Sequence, residues 1–353
     1  MLGGFLALLS AATFAFNNAA VRRGVLSGSV AQAMAITVPM GLPIFLLGVV
    51  LFGAYAPFGE FTLATWGWLA LAGVQHFILG RYCNYRATKA MGAVLTGPVQ
   101  QSGTVFTLLI AVLVLGETLT PLQILGIGLI VLGPMLCLRA AKEHKSSKEP
   151  AVVGAGNDET VQKVAENVRA SAAPVDVAKT PFKPKYVEGY FNAIVSAAAQ
   201  GTSPILIRFA LEDKGLSASI AGGLISYGAA TLLFCLILLW PGQARHVMSV
   251  NREAGKWFVI SGLFVGFSQL FRYMALAVAP VTVVTPIQRL SLLFRLYFAR
   301  LLSRDHEVLG GRVILGTIVS LVGTLALSVS TDLVLDLVPL PDFIVAIAQW
   351  RWP

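Results

Sequence analysis

Two stretches decide the reading of this chain: GAVLTGPVQQSGTVFTLL at residues 92–109 and PVTVVTPIQRLSLLFRLY at residues 280–297. Aligned residue for residue, they place Pro98 on Pro286 and Gln100 on Gln288. The likeness extends outward. FLALLSAATFAFNNAAVRRG (5–24) pairs with FNAIVSAAAQGTSPILIRFA (191–210), so that Phe5, Ser10, Ala11, Ala12 and Arg22 meet Phe191, Ser196, Ala197, Ala198 and Arg208. LSGSVAQ (26–32) pairs with LSASIAG (216–222). Glu117, Gly126 and Gly133 fall on Glu307, Gly316 and Gly323, after two inserted residues. Four blocks in one order mark an internal duplication.

Composition identifies the solvent for which both halves were built. Of 353 residues, 56% are hydrophobic and only 12% charged, where a soluble domain carries about 25%. Mean hydropathy is +0.76. The charges cluster, leaving runs near the ~20 residues that cross a bilayer, and these runs are apolar all round instead of amphipathic. The sequence predicts an all-α integral membrane protein of ten transmembrane helices. They fall near 4–21, 30–53, 65–84, 92–115, 120–138, 188–208, 217–240, 257–277, 281–302 and 311–330. Five spans per half is an odd number, so the second half enters the membrane upside down: two inverted five-helix repeats, a transporter design whose site lies near the midplane.

Residues 1–140 make the first repeat and 187–330 the second. Between them, 141–186 is rich in Lys, Glu, Ser and Ala and reads as a flexible charged linker, with a short surface helix over DETVQKVAENVRAS (158–171). Residues 331–353, broken by Pro339 and Pro341 and ending near Trp350 and Trp352, read as an interfacial tail. The first span has a counterpart at 191–210, which argues against a cleaved leader.

Of the 26 Lys and Arg residues, 20 adjoin the connections after spans 1, 3, 5, 7 and 9, and four lie on the opposite side. Positive residues mark the cytoplasm. The linker is therefore expected inside and both termini outside, in a bacterial inner (plasma) membrane. The net charge of +9 reads as this cytoplasmic face and not as a nucleic-acid surface. Cys83, Cys137 and Cys235 form no disulfide or metal pattern. No HExxH, GxSxG or mid-span aspartate pair suggests an enzyme, and the GAG at 154–156 lacks the strand and third glycine of a nucleotide site. No cofactor or metal is implied.

The spacing Pro98–Glu117–Gly126–Gly133, repeated as Pro286–Glu307–Gly316–Gly323, resembles the EamA-like family of drug/metabolite transporters, over nearly all of the chain except linker and tail. The resemblance implies secondary transport of small metabolites, often export of amino acids or related compounds. It also implies a central cavity lined mainly by spans 1, 3, 4, 6, 8 and 9. It places both termini in the cytoplasm, opposite to the charge count.

On a helix, residues seven apart return to nearly one face. Gln288, Ser291 and Arg295 therefore form a polar stripe on span 9, matched by Gln100, Gly103 and Thr107 on span 4; Arg289, one step round, corresponds to Gln101. Polar residues in spans line cavities or bond neighbouring helices, and both readings stand for the glutamines. An arginine at mid-membrane costs about 2.5–3.5 kcal/mol on insertion scales. Arg289 and Arg295 lie roughly 10 Å from the nearer span end, so snorkelling is one account. An ion pair has little support, because no acidic residue falls mid-span. A substrate carboxylate or phosphate is the third account.

Arg81, Tyr82, Asn84 and Tyr85 end the predicted third span, and Gln269, Arg272 and Tyr273 are the counterparts of Arg81, Asn84 and Tyr85. Arg81 and the tyrosines read as interfacial anchors, and Arg272 as an anion-recruiting residue. His76 reads as an interior hydrogen-bonded histidine or a proton relay. Asn17, Asn18, Gln75, Gln200 and Ser203 are further candidates. The expected partner is a small anionic or zwitterionic solute, within membrane lipid. A flippase for a phosphate-bearing lipid is the runner-up; a receptor or scaffold would not need matched polar stripes.

Overall fold

The computed structural model describes residues 2–115, 119–146, 184–211, 214–279, 284, 287–303, 306–308, 310–328 and 350. Most of the linker, its expected short helix, Pro286 and nearly all of the tail lie outside them. Regular structure is helical throughout. In chain order we label α1 (Leu2–Ser27), α2 (Val30–Leu51), α3 (Leu63–Met91), α4 (Ala93–Gln100 and Ser102–Leu115), α5 (Pro121–Ser146), α6 (Tyr186–Leu211), α7 (Gly215–Leu238), α8 (Arg252–Val278), α9 (Ser291–Ser303) and α10 (Gly311–Ser328).

Seven of these, α1–α3 and α5–α8, are long and apolar enough to cross a membrane. The other three sit at the same places in the order but are short or broken. The break in α4 has a local cause. Pro98 has no N–H to donate and crowds the preceding turn, and the helix restarts at Ser102 after a turn at Gln101. Large apolar side chains such as Phe5, Leu47, Leu63, Leu125, Leu232 and Leu315 point outward, as lipid-facing surfaces require.

The duplication is visible in the packing. Helix α1 lies along α8, and its counterpart α6 lies along α3; α2 meets α7, α4 meets α9 and α5 meets α10. The α5–α10 seam gives the relative direction. A Cβ on Gly126 would sit 2.8 Å from the Gly323 oxygen, and one on Gly323 would sit 2.7 Å from the Gly126 oxygen. Gly133 and Gly316 stand in the same relation, at 2.5 and 2.6 Å. The first glycine of one repeat thus meets the second of the other, so equivalent helices run antiparallel about a twofold. Gly128, between the two seam glycines in sequence, has nothing within 4 Å.

Two expectations change. Helix α3 continues to Met91, so Arg81 sits in its interior and is 4% exposed. Nη1 donates to the Thr37 oxygen and Nη2 to the Tyr227 hydroxyl, both at 2.9 Å, and the guanidinium lies over Phe77 at 5.0 Å. A cation so well partnered does not need the interface. Arg22, counted among the cytoplasmic charges, is also buried. Its Nε lies 3.4 Å from Oε1 of Glu307, and Nη1 donates to the Thr88 and Lys89 oxygens. Glu307 in turn accepts from the N–H groups of Ala93 (2.7 Å) and Val94 (3.1 Å), capping α4. Gly92, at φ +91°, admits that carboxylate, which any Cβ there would strike. Removing Arg22, Arg81 and Arg272 from the charge comparison leaves its direction unchanged.

Gly133→Leu is expected to lower stability by about 1–3 kcal/mol through overpacking of the α5–α10 seam. Gly128→Leu, with open space around it, is expected to leave the melting temperature of the detergent-solubilised protein nearly unchanged.

Candidate functional site

The polar stripes of α4 and α9 lead to two hydrogen-bond chains that repeat each other. Gln100 Nε2 donates to Ser196 Oγ at 3.1 Å, and Ser196 Oγ donates to the Gly80 oxygen at 2.7 Å. Gln288 Nε2 donates to Ser10 Oγ at 3.3 Å, and Ser10 Oγ donates to the Ser268 oxygen at 2.9 Å. Gln100 aligns with Gln288, Ser196 with Ser10, and Gly80 with Ser268. Each chain therefore starts on the fourth helix of one repeat or, for Gln288, three residues ahead of it, crosses the first helix of the other, and ends on the third helix of the repeat it started from. Interhelical bonding is the role these contacts give the glutamines.

The twofold is broken by charge. Arg295, 4% exposed, reaches across from α9, and its Nη2 donates to Gln100 Oε1 at 3.2 Å. The guanidinium lies 5.9 Å from the Phe14 ring centroid, and Nη1 is buried without a hydrogen-bond partner. A Cβ on Gly97 would come within 3.3 Å of Arg295 Cδ, so the glycine makes room for it. Snorkelling does not describe Arg295. Arg289 is half-buried, with Nε enclosed and unpartnered. Gln101, its counterpart, is buried with Oε1 likewise unpartnered. Ser291 is half-buried at the start of α9. Thr107 bonds the oxygens of Gly103 and Gly201, which makes it a fastener between α4 and α6.

Two narrow clefts lie elsewhere, between α1, α3, α6 and α8, with Ser226 of α7 in the second; they share His76 and Gln269. The first is lined by Phe14, Asn17, His76, Arg81, Asn84, Tyr85, Gln200, Val265 and Gln269. The second is lined by Ala72, His76, Phe77, Ile207, Ser226, Gln269, Arg272 and Tyr273. Repeat-equivalent positions recur in the two linings: Arg81 and Gln269, Asn84 and Arg272, Tyr85 and Tyr273, Phe14 and Gln200. Asn17 Oδ1 accepts from Ser261 Oγ at 2.6 Å, and Asn18 Oδ1 accepts from Asn84 Nδ2 at 3.1 Å. Gln75 bonds the Ala199 oxygen and the Thr202 hydroxyl across to α6. His76 stands in a π-helical segment, Val74–Gly80, a rare distortion that recurs at functional sites.

The charges around the clefts have one sign. Arg272 is near enough to His76 and to Arg289 for its charge to act on both, and Arg81 acts on His76 as well. None of the residues lining either cleft is a carboxylate, and no His, Cys, Asp or Glu cluster suited to a metal occurs among the described residues. Of the candidates read from the sequence, Arg272, His76 and Asn17 lie in these linings, while Asn18 is buried against Asn84. The sequence missed Phe14 and Val265, which carry no polar signal, and it misread Arg81. The pairing of Arg81 with Gln269 in the repeat was the clue to the latter.

The family model of the EamA-like transporters matches residues 1–139 and again 187–329. The chain belongs to the EamA-like transporter family. It is therefore a multi-pass membrane transporter of small solutes, and the two matches are its two five-helix repeats. A solved structure, described as "Crystal structure of protein", superposes with a TM-score of 0.51 at 16% identity, over 92% of this chain and 94% of that one. At that identity the likeness is one of fold. No curated protein matches the chain.

Ser10→Ala and Ser196→Ala are each expected to cost about 0.5–1.5 kcal/mol, because each removes the acceptor of a half-buried glutamine N–H₂. Ser102→Ala, whose hydroxyl bonds only the Val99 oxygen of its own helix, should change the thermal midpoint far less.

Proposed function

We propose that this EamA-like transporter carries a small organic anion or an amino-acid-like zwitterion, in the direction of export, by alternating access to the cleft between α1, α3, α6 and α8. The observation that carries this reading is Arg272: half-buried in the last two turns of α8, it lines a cleft with no carboxylate in the lining, and Arg81 lines the adjoining cleft. A buried cation without a protein anion is costly, and a solute carboxylate or phosphate would supply the missing charge. The amides of Asn17, Asn84, Gln200 and Gln269 offer the remaining donors and acceptors. Arg295 and Arg289 set the positive field of the α4–α9 side; of the two, Arg289 acts on Arg272.

In this reading, residues 1–140 and 187–330 rock against each other, the solute leaving chemically unchanged. The 141–186 linker joins them in the cytoplasm, both termini lie outside, and 331–353 rests at the interface of an inner membrane. The charge bias of the connections supports that orientation.

The test is uptake into liposomes holding the purified full chain, with glutamate, succinate, inorganic phosphate and sulfate against alanine, lysine and choline. Glutamate or another anion should enter fastest. Arg272→Gln should raise its half-saturating concentration about tenfold or more, the loss of one charged hydrogen bond of about 1.5–3 kcal/mol. Lysine or choline entering as fast as any anion, with Arg272→Gln inert, would refute the anion reading.

A further inference from the structure

We infer that the transporter carries a proton together with its anion, and that the His76 imidazole is the group that holds it. The inference rests on the anion reading of the same cleft.

His76 lines both clefts, so a solute passing between them passes this ring. Its Nδ1 lies 2.8 Å from Ser203 Oγ, and the same hydroxyl lies 3.2 Å from the Gln200 oxygen. In the imidazolium both ring nitrogens are donors, and this arrangement accepts that form: Nδ1–H donates to Ser203 Oγ, whose own hydrogen turns to the Gln200 oxygen. The π-helical segment sets the ring there, edge-on to Phe77 at 4.9 Å.

The groups around His76 fix when a proton is tolerated. From α3 come Arg81 and Tyr85; from α7, Tyr227, which holds Arg81; from α8, Arg272 and Tyr273; from α6, the neutral Ser203 and Gln200. Two guanidinium groups and no carboxylate face the ring, so an imidazolium in the empty cleft would be a third positive charge. An anion docked at Arg272 reverses that balance and favours the charged ring. Linkage makes the effect reciprocal: the anion tightens the proton, and the proton tightens the anion by the same factor. The step balances simply. The His76 ring takes a proton from water on the side where the anion enters and returns it to water on the side where the anion leaves, with no covalent bond to the solute. An anion running outward down its own gradient takes a proton with it.

The experiment uses liposomes containing the full chain with a pH-sensitive dye inside, offered glutamate, succinate, phosphate or sulfate. The ratio of protons to anions entering is measured, a quantity independent of how much protein is active. At least one anion is expected to acidify the lumen as it enters. In His76→Gln the ratio should fall to background, while in Arg272→Lys uptake should slow and the ratio persist. Ser203→Ala, which removes the acceptor of Nδ1–H, should move half-maximal uptake to lower pH even if His76→Gln proves inactive. Anion entry without acidification, an unchanged ratio in His76→Gln, or an unmoved pH profile in Ser203→Ala overturns the proton inference alone. No entry by any of the four anions overturns the anion reading and this inference with it.

Discussion

A polar side chain inside an apolar bundle has no water to fall back on, and a long amide such as glutamine is best satisfied by a partner in another helix. This chain meets that constraint once and copies the solution. Gln100 to Ser196 to the Gly80 oxygen, and Gln288 to Ser10 to the Ser268 oxygen, tie the fourth helix of each repeat through the first helix of the other. The two chains hold α1 and α6 at the centre, beside α8 and α3. The clefts open between these four helices because the α5–α10 glycine seam and the outward leucines occupy the periphery. Position of the site, symmetry of the lining and burial of the arginines all follow from that crossing.

Most of this architecture was legible in the sequence. The duplication gave the inverted repeats and set Gly126 and Gly133 on Gly316 and Gly323, but that these glycines meet across α5 and α10 is seen only in the packing. The polar stripe on α9 correctly marked a face turned into the protein. It did not mark the cavity, because the same periodicity serves a bond to Ser10 or a contact with solute. Arg81 was placed at an interface because hydropathy falls near it, whereas α3 runs on to Met91 and encloses it. Arg22 looked like a surface charge because its partner Glu307 lies nearly three hundred residues away, a distance at which pattern reasoning sees no pairing. Phe14 and Val265 line the cleft with no signal beyond being apolar.

What the twofold does not preserve is charge. Asn84 in one half corresponds to Arg272 in the other, Thr107 to Arg295, and Gln101 to Arg289. A symmetric frame allows the two mouths to exchange roles with little cost, while an asymmetric lining gives the solute one orientation and one sign. Arg295 anchors this asymmetry structurally, since it spends one donor on Gln100 Oε1, the acceptor of the same side chain whose amide nitrogen begins the first chain. The frame and the charges are thus joined at a single residue, Gln100.

The central claim is that the cleft at Gln200 and Gln269 is reached from both sides of the membrane in turn. Its most direct measurement is the reactivity of Gln200→Cys, in a chain whose three native cysteines are replaced, toward an impermeant thiol reagent applied to each face of oriented vesicles. The account predicts labelling from either face, slowed by whichever anion the protein transports. Labelling from one face only, or none from both in a chain that still transports, would contradict it.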